Sequence, residues 1–415
     1  MSGRWEEMFI EDVAQVVNGG TPKTKVPDFW GGDNLWITPA EMGNRDTPYL
    51  GESRRTLSKD GLDNCSASLV PEKSVILSTR APIGHLVVNS VPMAFNQGCR
   101  ALVPGDKLNY KFLYYFLYKN VDKLNELGSG TTFKELAAGK LKRFPIPVPP
   151  LDEQKRIVAI LDEAFAGIDA AIANTEKNLA NARELFESYL SSVFSLAPLH
   201  WRKLALSDIC SIKHGFAFKS EYFSDAGPFI VLTPGSFYES GGFRDQGRKT
   251  KFYIGDPPAE YILSKDDFLI AMTEQAAGLL GSSLVVPESR RFLHNQRLGL
   301  VVVRDGVDWH NDFFFHQFNT HGFRSAVQET ASGVKVRHTS PGKLGAIQVF
   351  VPSYSEQVEI GEKLNMLLSE VRKLESLGKQ KLESLTELKK SLLQKAFSGE
   401  LTDDLAEKEL DEAVA

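Results

Sequence analysis

The feature that most constrains this chain is that it is written twice. The stretch WEEMFIEDVAQVVNG, Trp5 to Gly19, lies over WRKLALSDICSIKHG, Trp201 to Gly215, without a gap at an offset of 196 residues. Further along, FNQGCRALVP (95–104) matches HNQRLGLVVV (294–303) and shares its Asn-Gln pair. GSGTTFKELAAGKLKRFPIPVPP then matches TASGVKVRHTSPGKLGAIQVFVPSY through Ser129-Gly130 and Ser332-Gly333, and through Gly139-Lys140-Leu141 and Gly342-Lys343-Leu344. LDEQKRIVAIL (151–161) lies over YSEQVEIGEKL (354–364), and the offset of 203 holds as far as SYLSSVFS (188–195) over SLLQKAFS (391–398). A unit of roughly 195 residues used twice must fold into two similar bodies.

Each repeat has two parts. The first is built of short β-type runs such as SVILST, HLVVN, DFLIAM and LGLVVV, broken by Gly, Pro and Asn, which predicts a β-rich α+β domain over residues 1–150 and again over 198–353. The second opens after a proline-marked stretch, FPIPVPP or VFVPS, and becomes helical over 151–197 and 354–398. Residues 399–415 form an acidic tail. Leu161, Ala164, Ile168, Ala171, Thr175, Ala182, Leu185 and Tyr189 lie on an a/d pattern. In the second repeat Leu364, Leu367, Val371, Leu374, Gly378, Leu385, Leu388 and Leu392 hold the same places. Helices of about 40 to 45 residues, on the order of 60 to 65 Å, cannot bury such stripes against their own small domains. The spacing therefore predicts two long antiparallel helices forming a coiled coil between two β-rich heads, a pseudo-twofold molecule.

Composition narrows the class. With 415 residues and 42% apolar content, the chain can build two or three ordinary cores. MSGRWEEMFIEDVA carries acids where a secretory leader needs a basic region and an apolar run, and no later run is long enough to span a bilayer, so a cytoplasmic protein with no membrane partner is expected. Three cysteines, Cys65, Cys99 and Cys210, stand far apart and are expected to be reduced. The net charge of −5 conceals a division: residues 1–150 hold 18 basic against 16 acidic side chains and residues 199–352 hold 17 against 15, so the acidic excess lies in the helices and tail.

PPLDEQKRIVAILDEAFAGIDAAI and SLLQKAFSGELT resemble the helical spacers of the DNA-specificity subunit of type I restriction-modification systems. GGTPKTKVPDFWGGDNLWITPAEM resembles the opening of that family's target recognition domains, and HGFAFKSEYFSDAGPFIVLTPGSF keeps part of the phrase. The resemblance covers nearly the whole chain in the order recognition domain, helix, recognition domain, helix. It implies a non-catalytic reader of double-stranded DNA, with each head reading one half of a bipartite, asymmetric target and the helices setting the gap. It further implies two methylation subunits as partners, restriction subunits beside them, and S-adenosylmethionine held on the methylation subunits, with no cofactor on this chain.

Candidate DNA contacts follow from side-chain chemistry. Thr131, Thr132 and Lys134 in TTFKEL, and Lys335 and Arg337 with His338 and Thr339 in SGVKVRHTS, place hydroxyls and cations in a loop before each helix. Arg80 in STRAPIGH follows an apolar strand, where its fork could meet guanine, a phosphate or a carboxylate. Lys23, Lys25 and Thr38 form another polar set. Lys219, Arg244, Arg248, Lys249 and Lys251, with Lys213 and His214, make the densest basic run among aromatics. Asn96-Gln97 and Asn295-Gln296 could pair with adenine, but residues shared by both heads suit holding a turn better than choosing a base.

Enzyme chemistry lacks its motifs. GDPPAE has Ala259 where the Asp-Pro-Pro-Tyr signature of amino-methyltransferases has its aromatic, GSGTTFKEL lacks P-loop spacing, and the histidines show no metal-ligand set. A stand-alone DNA methyltransferase and a coiled-coil adaptor indifferent to DNA remain the competing readings.

Overall fold

A computed structural model describes residues 5–43, 45, 47–130, 134–274 and 278–402. The chain divides into two compact units, Met1–Thr175 with Gln380–Ala415, and Glu176–Lys379. The division cuts through both long helices, so each unit holds one head, the start of its own helix and the end of the other.

In the first head, Val75–Thr79 is buried at every position and forms the middle of a five-stranded sheet. The order is Ala14–Asn18, Cys99–Pro104, Val75–Thr79, Ile83–Asn89 and Tyr49–Leu50, antiparallel except for the last pair. A second sheet joins Arg55–Leu57, Trp30–Ile37 and Ala94–Phe95. The second head repeats the central ladder as Cys210–His214, Leu298–Val303, Phe268–Ala271 and Ser283–Val285. A ribbon of Glu6–Phe9 with Pro145–Val148, or of Arg202–Ala205 with Gln348–Val351, ties the start of each head to the strand that leads into its long helix.

The long helices run over Leu151–Ser195 and Tyr354–Ala396. In the second unit Leu179 meets Gly378, Arg183 pairs with Glu375 at 2.5 Å and Lys363 lies over the Tyr189 ring, so positions rise on one helix as they fall on the other. In the first unit Lys389 pairs with Asp169 and lies over Phe165. The predicted antiparallel pair is present, but half of its predicted seam is displaced by one residue. Leu161, Ile168 and Leu364 are buried and Val371 is half-buried, whereas Leu185, Leu374 and Leu388 are 72%, 49% and 46% exposed. The covered line runs Leu161, Phe165, Ile168, Ile172, Thr175, Leu179, Ala182, Phe186, Tyr189 on one helix and Leu364, Leu368, Val371, Glu375, Gly378, Leu382, Leu385, Lys389, Leu392 on the other. Its steps are four then three, where the leucine pattern suggested three then four. Larger side chains, Phe165 and Phe186 among them, take the inner positions, and the polar Glu375 and Lys389 sit on the seam because each meets an opposite charge. Gly378 lets the helices approach closely there, since a Cβ would lie 2.7 Å from the end of the Leu179 side chain, which would have to shift.

The start of each helix is fixed by the Glu-Gln phrase that the sequence repeats. Gln154 is fully buried; its Oε1 accepts from the Asn109 amide at 2.8 Å, and its Nε2 donates to the carbonyls of Lys107 at 2.9 Å and Pro149 at 2.8 Å. Gln357 does the same with the His310 amide at 2.9 Å and the carbonyls of Asp308 at 3.2 Å and Pro352 at 3.1 Å. A buried side-chain amide with its polar groups satisfied locks helix to head at a defined angle. Aromatic contacts complete the joint: Phe397 packs on Phe112 at 4.9 Å in one unit, as Phe194 packs on Phe313 at 5.4 Å in the other.

Candidate nucleic-acid interface

Two strand ends and one loop organise the candidate surface of the first head. The backbone after Val75–Thr79 bridges to the loop preceding the helix: Arg80 pairs with Glu135, Glu135 with Ser129, and the Leu136 amide donates to the Thr79 carbonyl at 2.9 Å. The second head builds the same frame from Thr273 against His338, His338 against Ser332, and the Thr339 amide on the Met272 carbonyl at 3.0 Å. Arg80 and Lys134, read from separate motifs, therefore lie beside one another, with Lys134 exposed. Thr131 and Thr132 lie outside the described residues.

Arg80 is not free of the protein. Its guanidinium lies 3.7 Å from one oxygen of Glu135, whose other oxygen is 3.7 Å from Arg100. Arg100 is held from behind, donating to Thr79 Oγ1 at 2.6 Å, the Leu136 carbonyl at 2.7 Å and Asn18 Oδ1 at 3.2 Å. In the second head Arg337 is drawn inward. It lies 3.6 Å from buried Glu274 and donates to the Gln328 carbonyl at 2.9 Å, while Glu274 accepts the amides of Gly278, Leu279 and Leu280 at 2.9 to 3.1 Å. Arg337 thus braces a loop, and Lys335 beside it is exposed.

The remaining candidates separate. Lys23 and Lys25 are exposed in the loop before Trp30–Ile37, whereas the Thr38 hydroxyl donates to Glu41 at 3.1 Å and closes a helix cap. Lys219 pairs with Glu221 at 3.8 Å, and Lys251 lies over the Phe223 ring at 5.5 Å. Arg248 and Lys249 occupy an exposed turn between them and Arg244. Arg244 lines a cleft of about 1080 Å³ together with Tyr238, Phe315, His316 and Arg372. Lys219, Arg248, Lys249 and Lys251 do not line that cleft.

Asn96 and Asn295 hold turns: each Oδ1 accepts the amide two residues on, Gly98 at 3.0 Å and Arg297 at 3.1 Å. Gly19 and Gly215 are required because a Cβ would stand about 2 Å from the carbonyls of these same asparagines, 2.0 Å and 2.2 Å. Lys140 and Lys343, also shared, donate to the Leu127 and Thr330 carbonyls at 2.8 Å and 2.7 Å. Glu135 and Arg100 were not singled out from the sequence; the only available signal was that their counterparts in the second repeat, His338 and Gly299, are chemically unlike them. Among the described residues there is no cluster of three metal-ligating side chains and no helix long and apolar enough to cross a membrane.

Comparison with known proteins agrees with this architecture. The chain is 31% identical over 227 residues to the type I restriction enzyme MjaIX specificity subunit of Methanocaldococcus jannaschii, covering 51% of this chain and 52% of that protein. It is 22% identical over 366 residues to the EcoprrI specificity subunit of Escherichia coli, covering 85% and 84%. The chain spans about half the length of several such relatives, including 49% of the EcoR124I/EcoR124II specificity subunit. Among solved structures, the HsdS subunit from Thermoanaerobacter tengcongensis shares the fold with a TM-score of 0.60 at 16% identity, covering 97% of this chain and 98% of that one. A chain described under complex assembly and conformational transition of the type I R-M system reaches 0.76 at 17% identity, covering 97% and 99%. The model of the type I restriction modification DNA specificity domain matches residues 3–180 and again 198–384, and with both repeats matched the chain belongs to that family.

Proposed function

We propose that this chain is the sequence-reading subunit of a type I restriction-modification complex and performs no chemistry itself. Each head reads one half of a bipartite double-stranded DNA target, and because the heads differ, the target is asymmetric. The helices, 45 and 43 residues long, set the gap between halves; at about 1.5 Å per residue each parallels roughly 19 or 20 base pairs at 3.4 Å each. Two methylation subunits, carrying S-adenosylmethionine, dock on the chain in the cytoplasm, and restriction subunits join them.

One observation carries this reading. The two units repeat the polar groups that hold the frame, Gln154 and Gln357, Asn96 and Asn295, Lys140 and Lys343, while exposing different side chains at matching places such as Arg80 and Thr273. Duplex DNA offers two similar backbones with different base edges, which is what such a molecule fits. The test is to assemble the chain with methylation subunits and map the modified adenines across a genome. Two short half-sites with a fixed gap are expected, and removal of a matched heptad from both helices changes only the gap. Methylation without sequence preference, or an unaltered gap, refutes the proposal.

A further inference from the structure

We propose that Arg80 reads a guanine in the half-site of the first head, and that Glu135, clamped by Arg100, is the residue that positions it. The inference rests on the reading of the chain as a DNA reader and names the base class that one of its surfaces selects.

The three side chains divide into one anchored in the protein and two that reach the surface. Arg100 is 11% exposed and bound to three separate segments through Thr79, Leu136 and Asn18, so it cannot leave. Glu135 stands between the two guanidiniums, one oxygen toward each at 3.7 Å. Arg80, at a strand end, is 39% exposed and Glu135 42%, so both reach the surface while Arg100 does not. A guanidinium carries five donors in a planar fork, so engaging one edge with a carboxylate leaves another edge for a second pair of acceptors. Guanine presents such a pair, O6 and N7, in the major groove. Pairing with Glu135 before DNA arrives also removes part of the rotamer entropy that an unpaired arginine would lose on binding.

The carboxylate argues against the simpler role of phosphate contact. Glu135 offsets one of the two guanidinium charges and would repel a fully charged phosphate more strongly than the uncharged acceptor edge of a base.

The second head supplies the comparison. On the same backbone frame it has Thr273 for Arg80, His338 for Glu135 and Gly299 for Arg100. All three members differ at once, next to shared residues whose polar groups are engaged by backbone. A set that chooses bases should differ between heads, while one that holds the fold should recur.

The test uses the full chain assembled with its methylation subunits, selecting from duplexes randomised across both half-sites at two salt concentrations. In Arg80→Ala the preference for guanine at one position of one half-site should fall tenfold or more, consistent with loss of a bidentate pair, with the other half-site and the salt dependence unchanged. Arg80→Lys keeps the charge and should lose the same preference. Glu135→Gln, nearly isosteric, should weaken that position alone while leaving the melting temperature unchanged. A uniform loss of affinity with a shallower salt dependence would make Arg80 a phosphate contact and overturn the inference, as would unchanged preference at every position or an effect of Glu135→Gln elsewhere in the site. If the wild-type assembly shows no sequence preference, the DNA-reader reading itself fails, and the inference with it.

Discussion

The two units solve one packing problem with different chemistry. Six residues beyond Asn109, whose amide the first buried glutamine accepts, stands Tyr115, donating to Asp162 at 2.7 Å; six beyond His310 stands His316, hydrogen-bonded to Asn365 at 2.8 Å. Likewise Phe95, whose carbonyl accepts the Gly20 amide, corresponds to His294, whose carbonyl accepts that of Phe216. The second unit has therefore placed two histidines where the first has a tyrosine and a phenylalanine. What is kept between the units is backbone satisfaction, and what is free to change is the side chain that fills the space.

This difference should show most strongly on acidification. Burial pushes both His294 and His316 down to about 4, below the ordinary histidine value. An unfolded chain takes up these protons as pH falls through about 6.5, and the folded unit refuses them until about 4. Stability present at neutral pH is thus lost between those values, on the order of 3 kcal/mol for each histidine. Hydrogen exchange as a function of pH should show the second unit losing protection first, and His294→Phe with His316→Tyr, the residues of the first unit, should flatten its response. Equal acid sensitivity in both units would remove the distinction.

The helix seam gives the next largest effect. Phe165→Ala should cost about 3 kcal/mol, while Leu185→Ala, on the exposed side, should stay within about 0.5 kcal/mol; denaturant titration that reversed the order would restore the leucine register. The shared glutamines should behave alike. Gln154→Leu and Gln357→Leu each leave a backbone amide and two carbonyls without partners, and each should lose about 2 to 3 kcal/mol. A large effect in one unit and none in the other would break the equivalence. Smallest should be Lys140→Met and Lys343→Met, each removing one hydrogen bond to a carbonyl and lowering stability by about 1 kcal/mol or less.

The duplication, the β-rich heads and the paired helices were legible because they depend on pattern over many residues. The seam was half legible. Leu161 and Leu364 stand out by hydrophobicity, but Glu375 and Lys389 occupy inner positions only because Arg183 and Asp169 face them, which periodicity does not reveal. Candidate contacts fared similarly. That Thr38 caps a helix follows from Glu41 three residues on, a local signal available to sequence reading. That Arg337 turns toward Glu274, or that Glu135 lies between Arg80 and Arg100, depends on segments far apart in the chain.

The interleaving of the helices also sets an order of assembly. The second unit is one continuous stretch, Glu176–Lys379, and can close as soon as it has left the ribosome. The first cannot. Its core, containing Phe112, Phe116, Ile157 and Val158, also takes in Leu393, Ala396, Phe397 and Leu401, which are made more than 200 residues later. The portion translated first is thus left waiting with an apolar face uncovered, exposed to chaperones and to aggregation, until the far end of the polypeptide arrives to seal it.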